Sequence, residues 1–207
     1  MAERIDHPCV QHKLAIIRDT ETGHKRFREL ATEITMFICY EALKNVRTKQ
    51  VTVQTPLAEA PCRKIDTDLV VVPILRAGIG MLDGILELVP TARVGFVGLY
   101  RDEATKQPVI YYERFPPQIR GGTCIVIDPM LATGGSTVAA IDRLKEGGAD
   151  SIVVVCIVTC PEGIARVEAA HPDVTIYAAA IDERLDDNKY IVPGLGDAGD
   201  RLFGTSH

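Results

Sequence analysis

Between Ile125 and Thr137 an apolar run ends in a carboxylate, Asp128, and is followed by Pro129, Met130, Leu131, Ala132, Thr133, Gly134, Gly135 and Ser136. Each of these residue types has a use in holding a sugar phosphate. The free amides of a helix's first turn point at an anion. Gly134 and Gly135 let the backbone approach closely, and Thr133, Ser136 and Thr137 supply hydroxyl donors. Asp128 can accept hydrogen bonds from sugar hydroxyls. A Gly-rich turn with a Ser or Thr cap is the plainer alternative, but carboxylate, glycines and hydroxyls converge on a ribose-phosphate cradle. It is not the G-x-x-x-x-G-K-[ST] loop, because no Lys follows the glycines, and no G-x-G-x-x-G follows the first strand.

Three other stretches carry chemistry. In Val72–Gly80 a tight turn sets Arg76 beside the exposed amides of a helix start, a combination suited to pyrophosphate. An ordinary turn with a surface Arg is the alternative. Arg101 stands at the root of a long, mixed and charged stretch that reads as a mobile flap over about 102–117; it could reach a phosphate or simply be solvated. From Ile181 to Arg201 the chain is rich in Gly and Pro, which suits a rigid loop whose backbone reads the imide edge of a pyrimidine. Reading every polar edge rejects wrong bases, because a mismatch leaves buried groups unpaired. Otherwise this stretch is a C-terminal coil that closes the domain.

The elements around these segments must position them. The run Leu69–Ile74 is continuously apolar, as in a strand covered on both faces. Further strands are expected over 93–100, 123–128, 151–159 and 174–181, with helices over 78–88, 136–146 and 162–170. Such alternation predicts one α/β domain over 1–207, a mainly parallel twisted sheet flanked by helices. Ligands in such sheets bind beyond the carboxyl ends of the strands, here the loops after 74, 100, 128 and 181. Phe27, Leu30, Ile34, Phe37, Ile38 and Leu43 recur at helical spacing and predict a helix over 24–46, whereas 12–21 is only weakly periodic. Residues 51–65 read as a hairpin arm, which serves either dimerisation or nothing beyond the surface.

Composition sets further bounds. The 207 residues carry a formal net charge of −5, which argues against broad nucleic-acid binding. No apolar run approaches the roughly 18 residues that span a bilayer, and no signal peptide is visible. The six cysteines form no disulfide or zinc framework, so a reducing cytoplasm is expected.

The segment Ile125–Thr137 resembles the ribose-phosphate loop of the type I phosphoribosyltransferases. Together with Val72–Gly80, Leu99–Asp102 and Ile191–Arg201 it resembles the uracil-specific branch, in which Pro129 stands where many relatives carry a second acidic residue. The resemblance spans nearly the whole chain, most strongly from Val51 to Thr205. It implies conversion of uracil and 5-phospho-α-D-ribose 1-diphosphate to UMP and diphosphate with Mg²⁺. Arg76, Asp128 and Asp197 are the catalytic residues implied. Arg76, Arg101, Asp128–Ser136 and Asp197 would hold the phosphoribosyl substrate, and Ile191, Gly196, Asp197 and Ala198 the uracil. The metal would travel with the substrate's pyrophosphate, with no protein cage. A C-terminal base-binding hood over about 182–207, a homodimer or higher oligomer and a possible GTP effector complete the expectation, with no effector residues assignable. The rivals are a purine or orotate transferase and a regulator that binds ribosyl phosphates without turnover.

Overall fold

The computed structural model describes residues 1–101 and 108–205. In chain order the elements are β1 (Ala2–Arg4), α1 (Pro8–Arg18), α2 (His24–Ala42), β2 (Thr48–Gln54), β3 (Glu59–Ile65), β4 (Leu69–Leu75), α3 (Ile79–Leu88), β5 (Arg93–Val94), β6 (Phe96–Arg101) and β7 (Pro108–Arg114). Then come β8 (Thr123–Ile127), β9 (Met130–Leu131), α4 (Gly135–Glu146), β10 (Ser151–Thr159), α5 (Pro161–Ala170), β11 (Thr175–Ile181), β12 (Arg184–Leu185), β13 (Ile191–Val192) and α6 (Ala198–Phe203). The main sheet is nine-stranded, with the path β1-β11-β10-β8-β4-β6-β7 and with β5 and β9 pairing β4 and β10. Only the β6/β7 pair in it is antiparallel.

Its central strands lack a polar face because both faces are covered. Val71, Ile125, Ile127, Val155 and Ala179 pack against α1, α2, α3 and α6. Their neighbours Val70, Val72, Cys124, Val126, Val154 and Ala178 pack against α4 and α5. Alternation along each strand persists, but both destinations are apolar, which is why the sequence shows continuous runs.

Register carries the strand ends to a common edge. Pro73 pairs with Ile127, and Ile127 pairs with Val155. Leu75 pairs with Gly98. Residues just beyond these, Arg76, Asp128 and the end of β6, therefore emerge side by side. The Leu75–Arg76 peptide bond is cis.

Several expectations are corrected here. The weakly periodic start is a helix, α1, that buries only Val10, Leu14 and Ile17. Phe37, read as part of the buried stripe of α2, is 36% exposed and stacks on His7. The helix ends at Ala42 rather than near 46. The expected flap over 102–117 is in part a strand, since β7 pairs with β6. Residues 102–107 lie outside the described residues. The expected hairpin arm is present and starts three residues earlier: β2 and β3 form a separate two-stranded antiparallel sheet, from Thr48↔Ile65 to Gln54↔Glu59.

Gly78 joins the two halves of the site edge. A Cβ there would stand 2.6 Å from the Ile127 carbonyl oxygen and 2.7 Å from the Ile74 amide nitrogen. Gly78→Ala is expected to cost about 2 kcal/mol of stability, measured by urea unfolding at constant m-value.

Candidate active site

After Ile127 the chain leaves β8 for two residues and rejoins the sheet as β9. The step keeps register, because Ile127 pairs with Val155 and Met130 with Val158. The Asp128 amide donates to the Val155 carbonyl at 3.2 Å, and the Pro129 carbonyl accepts from the amides of Ile157 and Val158, each at 3.1 Å. This excursion turns the Asp128 side chain into a cleft. The backbone beyond it is fastened from β10 and α5. Thr159 Oγ1 donates to the Leu131 carbonyl at 2.9 Å and Cys160 Sγ to the Ala132 carbonyl at 3.4 Å. A methyl group at Gly163 would overlap both carbonyl oxygens, so glycine is what lets α5 approach the loop.

The loop ends at Gly134, whose φ of 75° is left-handed and whose carbonyl accepts from the Val138 amide at 2.9 Å. The amides of Gly135, Ser136 and Thr137 precede that bond and have no acceptor within α4. They are the free-amide end of α4, the kind of position at which anions bind; none of the three lines the cleft that Asp128 faces. Arg143 and Lys145 in the last turn complement the opposite end of the helix dipole.

A cleft of about 430 Å³ opens at this edge, a size suited to a small molecule. Arg76, Asp128, Met130, Asp197 and Ala198 all line it, so residues from three separate segments meet there. Tyr100 and Tyr111 also line it, with ring centroids 6.4 Å apart. Neither tyrosine was expected. Tyr111 lies on β7 across from β6, and a Cβ at Gly98 would come within 2.6 Å of its ring, so the absence of a side chain there gives the ring its place. The signal in the sequence was only an aromatic pair inside an apparent loop.

Other expected residues stand off the cleft lining. Ile191 is buried in the core, at 5% exposure, and Gly196 is exposed with φ 77°. Arg101 ends β6 next to Tyr100, but its side chain lies outside the described residues. Asp197 has two roles. It lines the cleft, and its Oδ1 accepts from the Asp200 amide at 2.9 Å as the N-cap of α6.

Burial pushes the Asp128 carboxyl up to about 7, against the smaller opposing effect of the Met130 amide 3.4 Å away. The cleft thus holds a carboxyl that is harder to ionise than an exposed one. No group of three or more His, Cys, Asp or Glu side chains able to cage a metal exists among the described residues. No helix there is long and apolar enough to cross a membrane.

The family model described as Uracil phosphoribosyltransferase matches residues 4–205. The chain belongs to the uracil phosphoribosyltransferase family. The uracil phosphoribosyltransferase of Dictyoglomus thermophilum is 57% identical over 202 residues, covering 97% of this chain and 98% of that protein. A solved protein from Aquifex aeolicus superposes with a TM-score of 0.94 at 37% identity, covering 100% of this chain and 99% of that one. The orotate phosphoribosyltransferase of Mycobacterium tuberculosis, solved with 5-phospho-α-D-ribosyl 1-diphosphate, superposes with a TM-score of 0.53 at 14% identity over 84% of this chain and 90% of its own. That likeness is one of fold, and the fold is that of the type I phosphoribosyltransferases.

Two predictions follow from the carboxylates. The folded Asp128 has a raised pKa and the unfolded one does not. The unfolded chain therefore releases the proton first, and native stability falls as pH rises from about 4 until the native value near 7 is passed. Asp128→Asn removes that loss. Its stability relative to the parent should grow by roughly 2–3 kcal/mol between pH 5 and pH 8, read as a widening gap in melting temperature. For Asp197, the Asn variant keeps a capping oxygen and the Ala variant does not. Only Asp197→Ala should lose about 1 kcal/mol of stability in urea titration, while both variants lose turnover.

Proposed function

We propose that this chain is a uracil phosphoribosyltransferase that joins uracil to 5-phospho-α-D-ribose 1-diphosphate, giving UMP and diphosphate. The observation that carries the reading is the meeting of Arg76, Asp128 and the Asp197–Ala198 segment in one cleft, in a chain matched to the family over 4–205. The amides of 135–137 and the hydroxyls of Thr133, Ser136 and Thr137 hold the 5′-phosphate. Asp128 holds the ribose hydroxyls, and Arg76, with Arg101, holds the pyrophosphate. Ile191, Gly196 and Ala198 present backbone groups to uracil, while Asp197 faces the ribosyl substrate.

The bond from the anomeric carbon to the pyrophosphate oxygen breaks, and the electron pair leaves with pyrophosphate. A bond from the uracil nitrogen forms as that nitrogen gives up its proton. The transition state has oxocarbenium character, so an ionised Asp128 close to the ribose favours it. Catalysis is mainly positioning and electrostatics. Tyr100 and Tyr111 wall the cleft on the β6–β7 side, and the 102–117 stretch excludes water that would otherwise hydrolyse the intermediate.

The donor set suits Mg²⁺ carried by the substrate. Asp128 and Asp197 face one cleft without a cage, and Mg²⁺ favours phosphate oxygens, a carboxylate or two, and retained water. When bound it neutralises the departing pyrophosphate. The same reading places the protein in the cytoplasm as a homodimer or larger assembly, with the β2–β3 arm available for contact, and takes GTP as its effector.

Purified protein with uracil, 5-phospho-α-D-ribose 1-diphosphate and Mg²⁺ should release UMP and diphosphate. Hypoxanthine, guanine and orotate should be turned over at least about 100-fold less efficiently. Asp128→Asn should lower kcat by about 100-fold or more. Absence of UMP formation by the parent protein would sink the reading, and binding of the phosphoribosyl substrate without turnover would indicate a regulator. Light scattering and initial rates with and without GTP test the assembly and the effector.

A further inference from the structure

The proposed base-reading stretch runs from Ile191 to Ala198, and one of its fixings comes from the opposite end of the chain. Arg18, the last residue of α1, donates from Nη2 to Asp182 Oδ1 at 2.6 Å and from Nη1 to Asp182 Oδ2 at 2.8 Å. Nη1 also donates to the Gly194 carbonyl at 2.7 Å. Asp182 Oδ2 in turn accepts from the Gly194 amide at 2.9 Å. Both polar groups of one peptide residue are thus bound by one ion pair. The side chains are 22% exposed for Arg18 and 6% for Asp182, so the pair is largely out of water.

Asp182 is itself fixed, because its amide donates to the Thr159 carbonyl at 2.7 Å. The arrangement ties α1, the end of β11 and the loop to the sheet edge. Gly194 can sit in it only as glycine, with φ 60° and the Ile191 carbonyl oxygen where a Cβ would be. One residue on, Arg201 Nη1 donates to the Leu195 carbonyl at 2.9 Å while its guanidinium lies 4.5 Å above the Phe27 ring. Two guanidinium groups therefore hold consecutive carbonyls, and the chain then turns into the cleft at Asp197 and Ala198.

A base read by backbone groups presents a particular difficulty. Side-chain identity cannot tune those contacts, so selectivity rests on whatever fixes the backbone. Bidentate guanidinium–carboxylate pairs supply geometric definition as well as energy, and misplacement by about 1 Å costs on the order of 100-fold in rate. We infer that the Arg18–Asp182 pair is a specificity-positioning element, which sets the place of the base-reading backbone without touching the base. This rests on the proposed uracil reading of 191–198.

The test uses the full-length protein and the variants Arg18→Met and Asp182→Asn, the second nearly isosteric. KM for uracil should rise by about 10- to 100-fold while KM for the phosphoribosyl substrate changes less than about twofold. The kcat/KM advantage of uracil over thymine and cytosine should narrow by a similar factor. Arg18→Lys, which keeps one bond, should recover part of the loss. An unchanged uracil KM in a folded variant overturns the inference. So does a parallel rise in both KM values with a fall in melting temperature, or failure of both variants to fold, because each marks a purely structural pair. A parent protein that makes no UMP refutes the functional reading itself, whereas an active parent with unmoved variants refutes only this inference.

Discussion

Val70 and Val71, Cys124 and Ile125, and Val154 and Val155 alternate between two helical layers, and all six are fully buried. Neither face of the sheet can then carry an unpaired polar group without the cost of removing it from water. Parallel register adds the second half of the constraint. With Pro73, Ile127 and Val155 level across three strands, the first residues free to be polar appear together at one edge. Arg76, Asp128 and the loops that face them have no other place to gather. The cleft is thus a consequence of how the hydrophobic core closes, and loop chemistry then decides what it holds.

Asp128 shows what the core demands in return. It follows directly on the buried strand β8, and its carboxyl is desolvated enough to be pushed up to about 7. A residue chosen for stability alone would not be a carboxylic acid. A ligand that brought hydroxyls, a metal ion or positive charge to the same place would offset the cost of that burial, because a low local dielectric strengthens each interaction. The glycines on either side serve the same end. Gly78, Gly134 and Gly163 each sit where a side chain would push the backbone of the site off the sheet or off its neighbours.

Much of this was legible in the sequence, for reasons that are physical. Strands β4, β8, β10 and β11 announced themselves because burial on both faces erases polar interruptions. Asp128 and Arg76 stood out because each breaks such a run at its end. What escaped had no periodic signature. β7 carries mostly exposed residues on an antiparallel edge, so nothing alternates and the stretch reads as loop. α1 buries three residues among polar ones, too short a stripe to assert a period. β9, β12 and β13 are two residues each. Tyr111 depends on β7, so it was lost with that strand. The Arg18–Asp182 pair joins positions 164 apart, and only tertiary structure brings them together.

The pairing of Arg18 with Asp182 and Gly194 also bears on the birth of the protein. β1 joins the sheet through β11, with Ala2 level with Ile176, and Arg18 at the end of α1 finds its partner only at Asp182. During synthesis the Ile125–Thr137 segment is made well before residues 182–201. A partly made chain therefore holds β4, β8 and α4 before the segment that Arg18 and Asp182 fasten has been added. Such long-range closure slows folding and exposes intermediates. It also leaves Arg18 without its carboxylate partner until position 182 has been made.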